Sequence, residues 1–224
     1  MGARYKANPL ALNYGHPSFR NVAILSDLDE NVDYASIFRG GKGYSVALVA
    51  VAGVLLGNGT FYAVSRGLYA FAKARNRQVL GLFAFLFCLM NVGNFWCYVP
   101  VRTFTWHADM ANIEKGLHIS LGWICAVLGF PFAVAIWHFF ARLLPDARSF
   151  LFPDEPVAQV ILAALSSFTV FAFFGSAGLH GYGEVSHWMS VLSACLLFPL
   201  VLVLCWRHGI EQMANARTAA RLSK

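Results

Sequence analysis

At 224 residues, 58% of them hydrophobic and only 12% charged, the chain carries half the charge of a soluble domain, where about 25% is usual. Its mean hydropathy is +0.57. These values exclude an ordinary soluble fold and point to an all-α protein embedded in lipid, because a chain inside the bilayer must bond its own backbone. The net charge of +6 is no sign of a nucleic-acid partner, since the basic residues cluster between apolar runs as topology determinants do.

Residues 1–43 are polar and form an extramembrane segment. No apolar stretch precedes residue 44, so a cleavable signal peptide is not expected. Asp27, Asp29, Asn31 and Asp33 alternate like the start of a calcium loop. The sixth position is Val32 instead of glycine and the twelfth is Phe38 instead of glutamate, so the calcium reading fails. Ser26 followed by Asp29 reads more simply as the start of a surface helix, Asp27 to Phe38, ended by Gly40-Gly41.

Five segments within residues 44–206 are long enough to cross about 30 Å of hydrocarbon as helices. They are expected near Tyr44–Val64, Gln78–Val101, His118–Leu144, Val157–Gly178 and His187–Trp206. Gly53 and Gly57 form a GxxxG that would admit a close neighbouring helix. Pro131 and Pro199 should kink the third and fifth spans. Asn91 and Asn94 should bond across helices. Phe83, Phe87, Met90 and Asn94 make a stripe suited to lipid contact or helix packing. Cys88, Cys97, Cys125, Cys195 and Cys205 all lie in or beside apolar runs without CxxC spacing, and read as small buried hydrophobes.

Orientation follows from Lys and Arg. Arg66, Lys73, Arg75 and Arg77 accompany the first loop, Arg142 and Arg148 the third, and Arg207, Arg217, Arg221 and Lys224 the tail of residues 207–224. The opposite side has Arg39, Lys42, Arg102 and Lys115. The positive-inside rule then predicts an N-out, C-in protein of a bacterial-type inner membrane.

With that topology the second and fourth loops share the outer face. They bring together seven ligand-type residues: His107, Asp109, Glu114, His118, His180, Glu184 and His187. Glu114 and His118 are four apart, and Glu184 and His187 three apart, so each pair would share a helix face. Imidazole with carboxylate suits copper, zinc or iron, and His118, Glu184 and His187 are the natural ligand set, with Asp109 or Glu114 as base. A hydrogen-bonded structural cluster is the other reading, and Gly181 and Gly183 make His180–Glu184 a turn. A b-type haem is disfavoured, because His118, His138, His187 and His208 all fall at the ends of the expected spans. His138 and His208 are expected at the cytoplasmic boundary near helix C-termini.

The string Gly93-Asn94-x-x-x-Tyr98-Val99-Pro100-Val101-Arg102-Thr103-Phe104-x-x-His107-x-Asp109, followed by Gly116-Leu117-x-Ile119-Ser120, resembles a segment of bacterial M50, site-2-protease-like membrane metallopeptidases over residues 90–123. A fainter echo lies in Ala52–Asn58. Such relatives carry a His-Glu-x-x-His zinc motif on an earlier helix. This chain has none, and Cys97 stands where an acidic residue would be sought, so the resemblance implies the scaffold without its zinc chemistry. Transport finds little support in spans lacking paired broken helices. The expectation is a non-catalytic structural or assembly subunit of a larger membrane complex, respiratory or photosynthetic in type, with other subunits and lipid as its partners. A membrane metalloenzyme is the alternative.

Overall fold

A computed structural model describes residues 34–105, 108–179 and 182–207. All regular structure among them is helical: a short α1 (Tyr34–Arg39), then α2 (Gly43–Ala74), α3 (Gln78–Val101), α4 (Ala108–Leu117), α5 (Leu121–Leu151), α6 (Pro156–Leu179) and α7 (Glu184–Arg207). Of these, α2, α3, α5, α6 and α7 are long and apolar enough to cross a membrane, as expected. The chain is an all-α, multi-pass bundle.

Two spans run well past their expected ends. α2 has 32 residues and α5 has 31, or roughly 48 and 46 Å at 1.5 Å per residue. Apolarity ends before helicity does. Beyond Val64, α2 becomes amphipathic and buries Ser65, Tyr69 and Ala72. Beyond His138, α5 buries Phe139, Leu143, Leu144, Ala147 and Arg148. α5 also starts at Leu121 instead of His118, because His118 adopts a left-handed backbone (φ 53°) that ends α4. The surface helix expected from Asp27 is present as Tyr34–Arg39, closed by Gly41 at φ +71°; its earlier part and the calcium-like alternation lie outside the described residues.

α3 is the axis of the bundle. It packs against α2, α5 and α6, and its C-terminal end meets α7. Aromatic contacts mark these faces: Phe85 on Phe139 at 5.2 Å, Phe95 stacked on Phe132 at 4.4 Å, and Trp96 edge-on to Phe171 at 5.2 Å. Burial divides into two cores. One holds Tyr69, Phe85, Leu89, Phe139, Leu143 and Phe171. The other holds Ala50, Val54, Phe95, Met110, Ile113 and Phe132. Tyr62 and Ile136 border both.

The stretch between α3 and α5, expected as a loop, contains α4. Gly116 packs so closely on the start of α2 that a methyl there would lie against the Gly43 carbonyl and 2.7 Å from Ala47 Cβ. Met110 and Ile113, on the same face, share the core of Ala50 and Val54. α4 therefore runs antiparallel to the first turns of α2. Together α3 and α4, with 24 and 10 residues, match the height of α2 as one span broken at residues 102–107.

Each span also contains one π-helical turn, at Ala52–Gly57, Cys97–Val101, Phe139–Leu143, Phe168–Phe173 and Ser193–Leu197. Such turns rotate the faces on either side and bend a helix without proline. Pro199 follows directly on one of them, whereas Pro131 lies within continuous α-helix. The cysteines are all free; Cys88 and Cys97 are buried as expected, but Cys195 is exposed on the bundle surface. Among the described residues the GxxxG meets no other helix: none of their atoms comes within 4 Å of a Cβ built on Gly53, and on Gly57 only its own helix does.

Candidate functional site

The break at the end of α3 falls within the Gly93–Asp109 string, at Val99 and Pro100. Val99 leaves helical geometry (φ −136°, ψ 115°), and the Val99–Pro100 peptide is cis. The backbone is re-bonded locally: Arg102 N–H donates to the Cys97 carbonyl at 2.8 Å, and Thr103 Oγ1 to the Tyr98 carbonyl at 3.0 Å. Thr103 is buried, so its hydroxyl meets a backbone group that water does not reach. Irregular backbone beside apolar spans is tolerable only with such internal bonding.

Side chains then brace the break. Tyr98 Oη donates to Asp109 Oδ2 at 3.2 Å, tying the end of α3 to the first turn of α4. A carboxylate there also complements the positive end of the helix dipole. Arg102 Nη2 donates to Tyr182 Oη at 3.0 Å, and its guanidinium lies 4.6 Å from the Tyr182 ring and 6.0 Å from the Tyr98 ring. The second and fourth loops thus meet at one end of the bundle. Below them, Trp96 Nε1 donates to Ser193 Oγ at 2.8 Å, Ser193 Oγ to the Phe171 carbonyl at 2.6 Å, and Gly178 N–H to Ser190 Oγ at 2.9 Å. These bonds lock α6 and α7 onto α3 and hold Tyr182 in place. Gly183 (φ +92°) supplies the turn into α7.

Of the seven ligand candidates, His107 and His180 lie outside the described residues. Asp109 and Glu114 are half-buried on α4, while His118, Glu184 and His187 are exposed. Glu114 and His118 do not share a helix face, because α4 ends between them. Glu184 and His187 do share α7, and His187 Nδ1 sits 3.2 Å from the Leu179 carbonyl. Among the described residues no three His, Cys, Asp or Glu side chains converge as metal ligands; His118, Glu184 and His187 are therefore not brought together. The residue the sequence reading missed is Tyr182. Its only signal was an aromatic between the two glycines of a turn.

A second polar group lies inside the bundle. Tyr62 Oη is 3.2 Å from His138 Nδ1, and Cys88 Sγ donates to Ser65 Oγ at 3.2 Å. The expectation that His138 lies near a helix C-terminus is corrected: α5 continues from it to Leu151, because a π-turn and an amphipathic segment extend the helix. Towards the far end Asp146 accepts from Tyr69 Oη at 2.9 Å and pairs with Lys73. Asn94 Nδ2 bonds Asn58 Oδ1 across helices at 3.1 Å as expected, but Asn91 turns back to its own Phe87 carbonyl at 2.8 Å.

No family model, curated protein or solved structure matches the chain.

Proposed function

We propose that this protein is a non-catalytic structural or assembly subunit of a larger complex in a bacterial-type inner membrane, oriented N-out and C-in. The observation that carries the reading is the outward face of α2. Gly53, Gly57, Thr60, Ala63, Gly67, Ala70 and Ala74 follow one another at intervals of three or four, and all but half-buried Gly57 are exposed. Among the described residues nothing lies within 4 Å of a Cβ on Gly53 or Gly67. Faces that meet lipid elsewhere in the bundle are bulky: α5 exposes Trp123, Val127, Phe130, Val134 and Trp137, and α6 exposes Val157, Ile161, Leu165 and Phe168. A lipid face gains nothing from small residues, whereas a helix–helix contact requires them. The hydrogen-bonded break at Arg102 fits the same role, since it ties the second loop to the fourth and stiffens that end of the molecule. In this reading the M50-like segment is retained as scaffold.

Native purification through a tag after Lys224 tests it, with identification of retained proteins and an absorption spectrum for bound pigment. Wild type should bring partner chains with it, and Gly53→Leu with Gly67→Leu should lose them. Leucine suits both helix and lipid, so the isolated chain should stay folded. A monodisperse monomer in wild type, or partners retained equally by the double variant, would refute the reading.

A further inference from the structure

Arg66 on α2 and Arg142 on α5 are charged side chains within membrane-spanning helices, and no carboxylate pairs with either among the described residues. Arg66 is half-buried, its Nε is buried without an acceptor, and its guanidinium lies 5.7 Å from the Tyr69 ring, one turn nearer the C-terminal end of α2. Arg142 is exposed. Each stands four residues, about one turn, after a member of a single helix contact, the Tyr62–His138 pair that joins α2 to α5. The nearest carboxylate on these helices, Asp146, is already engaged by Lys73 and Tyr69. The seam between α2 and α5 therefore carries Arg66, Lys73 and Arg142 against one carboxylate on these two helices, Asp146.

Depth decides what could neutralise it. Arg66 is eight residues from Ala74, and Arg142 nine from Leu151, or about 12 and 14 Å along the helices. The side chain of Arg66 reaches towards that end, which brings its guanidinium to the height of Tyr69. The apolar run of α2 ends at Val64, so a headgroup phosphate of the leaflet on the C-terminal side would lie within reach of Arg66. A basic pocket between spans at that height is suited to an anionic lipid, and guanidinium forks match phosphate oxygens. Simple extension into water would not require two arginines to converge on one helix contact, nor leave a buried Nε without an acceptor.

We infer that Arg66 and Arg142 together hold the phosphate of one anionic phospholipid of the C-terminal-side leaflet in the groove between α2 and α5. The inference stands apart from the subunit reading and is tested on the isolated full-length chain in detergent. Native mass spectrometry and thermal shift would compare phosphatidylglycerol, phosphatidylcholine and inorganic phosphate. Wild type should bind phosphatidylglycerol at least tenfold more tightly than phosphatidylcholine, in line with two contributing arginines. Arg66→Met should weaken phosphatidylglycerol about fivefold, and the double variant with Arg142→Met roughly thirtyfold. Arg75→Met, in the exposed loop after α2, should have little effect. Full competition by inorganic phosphate would make the site one for free anions and overturn the lipid assignment. Equal binding of the two lipids by wild type would overturn it without any variant, should the double variant fail to fold. Undiminished selectivity in a folded double variant would do the same, as would an equal loss in Arg75→Met.

Discussion

Gly116→Ala isolates the packing of α4 on α2. The added methyl would sit 2.7 Å from Ala47 Cβ, where ordinary contact begins at 3.4 Å, and the Gly43 carbonyl is nearer still. Backbone cannot swing aside, and the Gly43 carbonyl sets the larger displacement, so α4 must retreat by roughly 1 Å, enough to forfeit up to about half of each dispersion contact across the interface. Met110 and Ile113 are 1% and 2% exposed, and each such burial is worth about 1.5–3 kcal/mol. The loss is then about 1–3 kcal/mol, offset by roughly 1 kcal/mol of improved helix propensity. A net destabilisation of roughly 0–2 kcal/mol should lower the melting temperature in detergent by up to about 8 °C for a chain of this size. Gly67→Ala is the matched control, because nothing lies within 4 Å of its added methyl. It should keep the propensity gain and melt about 2–4 °C above wild type. Two variants with the same melting temperature would refute the antiparallel docking of α4.

Other expectations concern the polar contacts. Tyr182→Phe keeps the ring on Arg102 but removes its hydroxyl; it should cost about 1 kcal/mol and raise protease cleavage between α6 and α7, measured by limited digestion. Tyr62→Phe should cost a similar ~1 kcal/mol, and histidine NMR should report the change at His138. Asp146→Asn should cost under about 1 kcal/mol, because the Lys73 pair is 46% and 40% exposed and so heavily screened, while an amide oxygen still accepts from Tyr69; Asp146→Ala should cost more in chemical denaturation. His118→Ala with His187→Ala should leave the metal content by elemental analysis unchanged, since the two side chains share no ligand cluster among the described residues.

Hydropathy located all five spans because lipid solubility is a property of composition. It misjudged the ends of α2 and α5 because Arg66 and Lys73 in the one, and Pro145 and Asp146 in the other, end the apolar run without ending the helix. His138 was misplaced for that reason. α4 was hidden by Asp109, Glu114 and Lys115, which made 108–117 look like loop, although Met110, Ile113 and Leu117 recur at helical spacing. The Gly53–Gly57 pair showed that some helix could approach but not whose, since spacing does not say whether the neighbour belongs to the same chain. The shared end of the second and fourth loops followed from counting spans. That Arg102 would meet Tyr182 there could not, because the contact joins positions eighty residues apart.

The broken span also imposes an order on assembly during synthesis. α4 is too short and too charged to hold a place in the bilayer alone, but its seat on α2 has already been made when it emerges, so it can dock at once. The hydroxyl of Tyr182 arrives only after α5 and α6 have been made. Until then the turn at Arg102 lacks one of its two flanking rings, and the last helical hairpin closes an end of the molecule that the first three spans have left open.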